Sequence, residues 1–95
     1  MAKTTKEQTS TAMPIGQAVI IRTVTHHYTG RLVAVEAGYL VLDEAAWIAD
    51  TGRWAAALST GSLSEVEPYP GRCYVSQGAV VDVSPWTHAL PRTTK

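Results

Sequence analysis

From Ala18 to Asp43 the chain consists largely of β-branched and apolar residues, broken only by two short turns. Ala18 to Val24 (AVIIRTV) reads as a strand because β-branched side chains pack well on a pleated surface. Thr25, His26 and His27 make a short turn, and Tyr28 to Glu36 (YTGRLVAVE) is a second strand. Ala37-Gly38 is a tight reversal into a third, Tyr39 to Asp43 (YLVLD). Leu40, Val41 and Leu42 are consecutive and apolar, so both faces of that strand are expected to be covered. Tight connections force neighbouring strands to run antiparallel, and the three make a meander. Gly30 inside the second strand marks the place where the sheet should curve.

Beyond Asp43 the pattern loosens. EAAWIA (44–49) and RWAAALSTG (53–61) each suit a short helical piece by propensity, with Gly61 as a stop. Pro68 and Pro70 leave residues 62–70 extended or looped. A strand follows at Cys73–Ser76, a turn around Gln77-Gly78, and a last short strand at Ala79–Val83 that Pro85 ends. The expected fold is mainly β: a five-stranded bent antiparallel sheet or small barrel with a short helical insertion at about 44–70. It forms one domain over 16–86, between a flexible N-terminal arm (1–15) and a flexible C-terminal tail (87–95), both disordered.

The chain has 95 residues and one cysteine, Cys73. A domain of this length buries only about 60–65% of its extended surface and has no disulfide to staple it, so self-association is expected. Eight basic and eight acidic side chains cancel, but they are segregated. Residues 16–85 carry four arginines against seven carboxylates, while Lys3, Lys6, Arg92 and Lys95 lie in the arms. A duplex binder needs the reverse, a basic body that neutralises phosphates. No stretch has the length of a signal peptide or membrane span, so a cytoplasmic location without membrane contact is expected.

At this point the residues resemble a known family. Gly30, Leu32 and Glu36, followed by Leu40 and Leu42, are similar to the first motif of Sm proteins. Val75 to Pro85 (VSQGAVVDVSP) resembles the second motif, in the form found in bacterial Hfq. A wider stretch, RTVTHHYTG…AAWIADTGRW…SEVEPYP, resembles a small uncharacterised family of tailed phages and prophages. The Sm-like resemblance implies a five-stranded barrel whose last two strands pair with neighbours and close a homo-oligomeric ring. Tyr74, Val75, Val80, Val81 and Val83 would then form the oligomer interface. It also implies single-stranded RNA as a ligand, although most RNA-reading positions differ. Hfq-type proteins carry an aromatic, a lysine and a histidine where this chain has Ser76, Gln77 and Gly78. The base-recognising Asn of the first motif falls at Leu40. Tyr39 beside it still offers a ring on which a base can stack.

No residues are arranged for catalysis, metal binding or a cofactor. His26 and His27 are neighbours whose side chains point opposite ways on an extended backbone. Cys73 is expected as a small buried apolar residue, and Glu65 with Glu67 as a solvated strand face. Three tryptophans in a chain without phenylalanine are the stronger signal. Trp47 and Trp54 would pin the insertion to the sheet, or Arg53 and Trp54 would hold a base or nucleotide at a subunit interface. The functions to separate are weak binding of single-stranded RNA through Tyr39 and Gln77, a structural or host-modulating role with a phage or host protein partner, and nucleotide binding at Arg53 and Trp54.

Overall fold

The computed structural model describes residues 13–95. Six strands build one antiparallel sheet: β1 (Ala18–Thr23), β2 (His27–Glu36), β3 (Tyr39–Asp50), β4 (Glu65–Pro68), β5 (Cys73–Ser76) and β6 (Val80–Pro85). One helix, α1 (Trp54–Thr60), follows β3, and a 3-10 turn over Gln77–Ala79 links β5 to β6. The strand order is β4-β3-β2-β1-β6, with β5 also bonded to β3. The expected meander is therefore β1-β2-β3. Its second connection is a two-residue turn with Ala37 at φ 49° and Gly38 at φ 84°, and positive φ at both positions matches the right-handed twist of the flanking strands.

The expectation of helix over 44–49 is corrected: these residues continue β3 as far as Asp50. Alanines favour helix by only a few tenths of a kcal/mol each, and tertiary pairing outweighs that. Here β3 gains a ladder on both sides, with β2 along its length and two successive partners on the other edge. Its Tyr39–Leu42 half pairs with β5, and its Ala46–Asp50 half pairs with β4. β4 is the strand beyond the five expected, and it lies in the segment read as extended or looped.

The join between the halves of β3 is a bend. Glu44 sits at φ 52°, and the β2–β3 register slips between Thr29 and Arg31. A Cβ placed on Gly30 would stand 3.0 Å from the Leu42 Cβ, 3.2 Å from the Asp43 carbonyl oxygen and 3.3 Å from the Ala45 Cα. The sheet curves where the glycine predicted it, because only a residue without a side chain lets β2 come this close to β3.

The bend also exchanges the faces of β3. Leu40, Leu42 and Ala45 share one core with Val19, Ile21, Leu32, Cys73 and Val75. Ala46 and Ile48 fall on the opposite face with Ile20, Ala57, Leu63, Val66 and Trp86. β1 alternates between the two, so Val19, Ile20 and Ile21 are all fully buried. Helix α1 and the segment after β6 cover the second core.

That segment corrects another expectation. The tail from residue 87 was expected to be flexible, yet it lies against the sheet. His88 bonds the Leu58 carbonyl at 2.8 Å, and Leu90 packs on the second core. Arg92 donates to the carbonyls of Ala45 and Tyr69 at 2.7 and 2.9 Å. Lys95 exchanges backbone hydrogen bonds with Val66 and donates from Nζ to the Leu63 carbonyl. Six hydrogen bonds made by three residues and an apolar contact offset the ordering entropy. Most of the expected N-terminal arm lies outside the described residues; Met13 packs on the first core.

Two outcomes follow. Gly30→Ala should cost about 1–3 kcal/mol in urea unfolding, since the new methyl meets backbone atoms that cannot rotate away. Ending the chain at Leu90 should cost roughly 1–3 kcal/mol through the lost charge-assisted bonds and speed proteolysis near Ala45 and Tyr69; a detached tail would leave both unchanged.

Candidate functional site

Two of the predicted binding residues, Tyr39 and Gln77, lie at the end of the β2–β3 hairpin. Tyr39 follows the tight turn and pairs with Ser76. The Gln77 backbone N–H donates to the Gly38 carbonyl at 2.8 Å, so the β2–β3 turn and the 3-10 turn are joined in one surface. Tyr39 and Tyr74 are 45% and 58% exposed, large fractions for aromatic residues. Their rings stand 6.4 Å apart and perpendicular. Leu40 is fully buried in the first core, so the position where Sm proteins place asparagine does not reach this surface. What the end offers is two phenol rings and a side-chain amide, a surface for stacking and hydrogen bonding. The nearest arginine, Arg72, is held by the Asp43 carboxylate at 2.7 and 3.1 Å, and this pairing keeps the Asp43 carboxyl below its usual range.

Arg53 and Trp54 stand elsewhere, beyond the far end of β3, so the four predicted binding residues form two places. Arg53 is exposed and makes no side-chain cap for α1. The cation on the Trp54 ring is Arg22, 4.9 Å from the ring centre, and His27 meets the same ring edge-on at 5.5 Å. Arg22 in turn forms a two-pronged pair with Asp82. Its guanidinium holds the Asp82 carboxyl below the ordinary range, while burial and Arg22 push His27 down. A ligand at Trp54 would have to displace groups that already satisfy one another. Arg22 and Asp82 are sixty residues apart, and no local pattern announces the pair.

A third place was not foreseen. Trp47, Tyr28, Tyr69 and His26 line a groove of about 470 Å³ with Pro68, Pro70 and Glu67 at its sides. Trp47 is opposite Tyr28 on β2 and Glu67 on β4. His26 meets Trp47 edge-on at 5.3 Å, and Tyr28 lies 6.4 Å from Tyr69. His26 and His27 thus address different tryptophans, as neighbours on an extended backbone must. Burial and the adjacent Cys73 thiol push Tyr69 up to about 12, and burial pushes Cys73 itself up. Both stay protonated at neutral pH. The sequence signal was the parity change at Glu44, which turns Trp47 to the side of Tyr28; it is invisible without the bulge.

The expected interface residues divide by burial. Tyr74 and Val81 are each 58% exposed, Val75 is buried in the first core, and Val80 and Val83 are half-buried against it. Among the described residues β5 is bonded only to β3 and β6 only to β1, so each presents an edge without a partner strand there. Among the described residues no group of three His, Cys, Asp or Glu side chains is placed to hold a metal, and no helix is long and apolar enough to cross a membrane.

No family model matches the chain, and no curated protein matches it. Solved structures do share its architecture. An Sm protein of Pyrococcus abyssii, in complex with a uridine heptamer, superposes with a TM-score of 0.51 at 19% identity, over 75% of this chain and 84% of that one. The SmAP1 heptamer of P. aerophilum superposes with a TM-score of 0.55 at 22% identity, over 90% of this chain and 93% of that one. The likeness is one of fold: this chain has the Sm-like fold, a mainly β antiparallel sheet with one short helix.

Proposed function

We propose that the protein is the subunit of a phage-type Sm-like ring that binds single-stranded RNA weakly by stacking. The observation that carries this reading is the joined end of the β2–β3 and 3-10 turns, where Tyr39, Tyr74 and Gln77 share one exposed surface. Ring closure would pair the free edge of β5 in one copy with the free edge of β6 in the next. That pairing satisfies backbone groups otherwise left to water and covers the exposed Tyr74 and Val81 side chains. The fold is shared with an archaeal protein described as a heptamer and with another described in complex with uridines.

Affinity at each subunit is low by construction. One stacked base contributes about 1–3 kcal/mol, and Arg72 is already committed to Asp43. A ring repeats the site around its axis, so several weak contacts act on one strand. Binding of this kind depends little on salt, because few phosphates are neutralised.

Sedimentation of the purified protein should give a mass several times 10.2 kDa, and Val81→Lys should reduce it to the monomer by placing a charge on the β6 edge. Oligo-uridine should bind the ring with a shallow salt dependence, and Tyr39→Ala should weaken it by at least roughly 10-fold, since the substitution removes a stacking ring from every subunit. A monomeric wild-type protein defeats the ring. An intact ring that ignores oligo-uridine at low salt defeats the RNA reading and leaves a structural role with a protein partner.

A further inference from the structure

The groove around Trp47 is separate from the end formed by Tyr39 and Gln77: the two lie at opposite ends of β2, and neither free sheet edge contributes to the groove. Its volume is within the range of about 300–1,000 Å³ typical of ligand sites. Its walls are aromatic and proline side chains, and its one charged lining residue is a carboxylate, Glu67. Glu65, two residues earlier on β4, and its cross-strand partner Asp50 continue the acidic stripe. Among the described residues no lysine or arginine lines the groove, the arginines Arg31, Arg72 and Arg92 lying on the far side of Tyr69 and Pro70. Phosphate is therefore disfavoured, and a ligand that brings an apolar ridge together with a positive charge is favoured.

The spacing narrows the choice. Tyr28, Trp47 and Glu67 form a row across three adjacent strands. Strands lie about 4.7–4.9 Å apart, so the row spans roughly 9.5 Å from the Tyr28 backbone position to that of Glu67. A polyproline II helix repeats every three residues and advances about 9 Å in doing so. A segment of that form laid across the strands sets a proline on the Tyr28–Trp47 pair and delivers the third residue onward to Glu67. Its backbone carbonyls have no internal partners. The Trp47 indole N–H is a donor type able to meet them, whereas the Tyr69 hydroxyl is engaged with Cys73 and Tyr28. Such a ligand is stiff before it binds, which suits an open groove that cannot bury it completely.

We propose that this groove docks a proline-rich segment of a partner protein in the polyproline II form, with an arginine or lysine three residues after the anchoring proline, held by Glu67. The site does not depend on the RNA reading.

The test is fluorescence anisotropy with two labelled polyproline peptides, one carrying an arginine at that spacing and one with alanine in its place. The wild-type ring or monomer should bind the arginine peptide, and Glu67→Gln should weaken it roughly 3- to 10-fold while leaving the alanine peptide unchanged. Glu67→Lys should abolish the preference for arginine. Glu67 is exposed, so neither change threatens the fold. Trp47→Ala should lower binding of both peptides by at least about 10-fold, as expected for an aromatic anchor. Absence of peptide binding overturns the proposal. So does equal binding of both peptides to all Glu67 variants. Displacement of the arginine peptide by oligo-uridine also overturns it, and would make the groove an RNA surface.

Discussion

Much of this molecule follows from the absence of one side chain. Where β2 crosses the middle of β3, the Gly30 Cα approaches Leu42, Asp43 and Ala45 within distances that leave no space for a methyl group. The strands bend around that contact, and Glu44 takes up the slack in a left-handed conformation. One extra residue in a strand reverses which way all later side chains point. β3 therefore serves the first core with Leu40 and Leu42 and the second with Ala46 and Ile48. It meets β5 with one half and β4 with the other, and it turns Trp47 toward Tyr28. The two cores and the aromatic groove are consequences of one bulge.

What was legible beforehand was local. A glycine-bearing two-residue turn between β-branched runs leaves only one pairing, so the meander, the curve at Gly30 and the strands at the two ends of the 3-10 turn could be read directly. The second half of β3 could not. Ala45, Ala46 and Ala49 favour helix by themselves, and the run is strand only because its neighbours pair: Ala46 with Thr29 and Pro68, Trp47 with Tyr28 and Glu67, Ile48 with His27 and Val66. The tail misled in the same way. Threonine, proline and lysine look like solvated chain, and nothing in HALPRTTK shows that the Ala45 and Tyr69 carbonyls stand ready for a guanidinium. At the sites, Tyr39 and Gln77 converge because they flank short turns. Arg53 lost its expected place to Arg22, a residue far away in sequence that stands opposite His27 in the β1–β2 pairing, and His27 meets the same Trp54 ring.

The charges share a common feature. Arg22, Arg31 and Arg72 each face a carboxylate, and Arg92 is spent on carbonyls. All three pairs are partly exposed, and such pairs contribute little stability, on the order of 0–1 kcal/mol each. Their greater effect is on recognition. A surface on which most arginines are already matched has little to offer a polyanion, and leaves aromatic rings and edges of sheet as its main means of contact.

The backbone exchange between Lys95 and Val66 bears on how far association can go. An exposed strand is a template onto which any other strand can add, and a sheet open on a long edge grows into fibrils as readily as into closed assemblies. The chain's own last residues occupy part of the outer side of β4. That leaves β5, only four residues long, as the free strand on that side, opposite a single free strand on the other. If copies pair edge to edge as proposed, a short edge at each end favours closure over open-ended growth. The docked tail narrows the edge that a further strand could use, and its loss should be felt first as aggregation at high concentration.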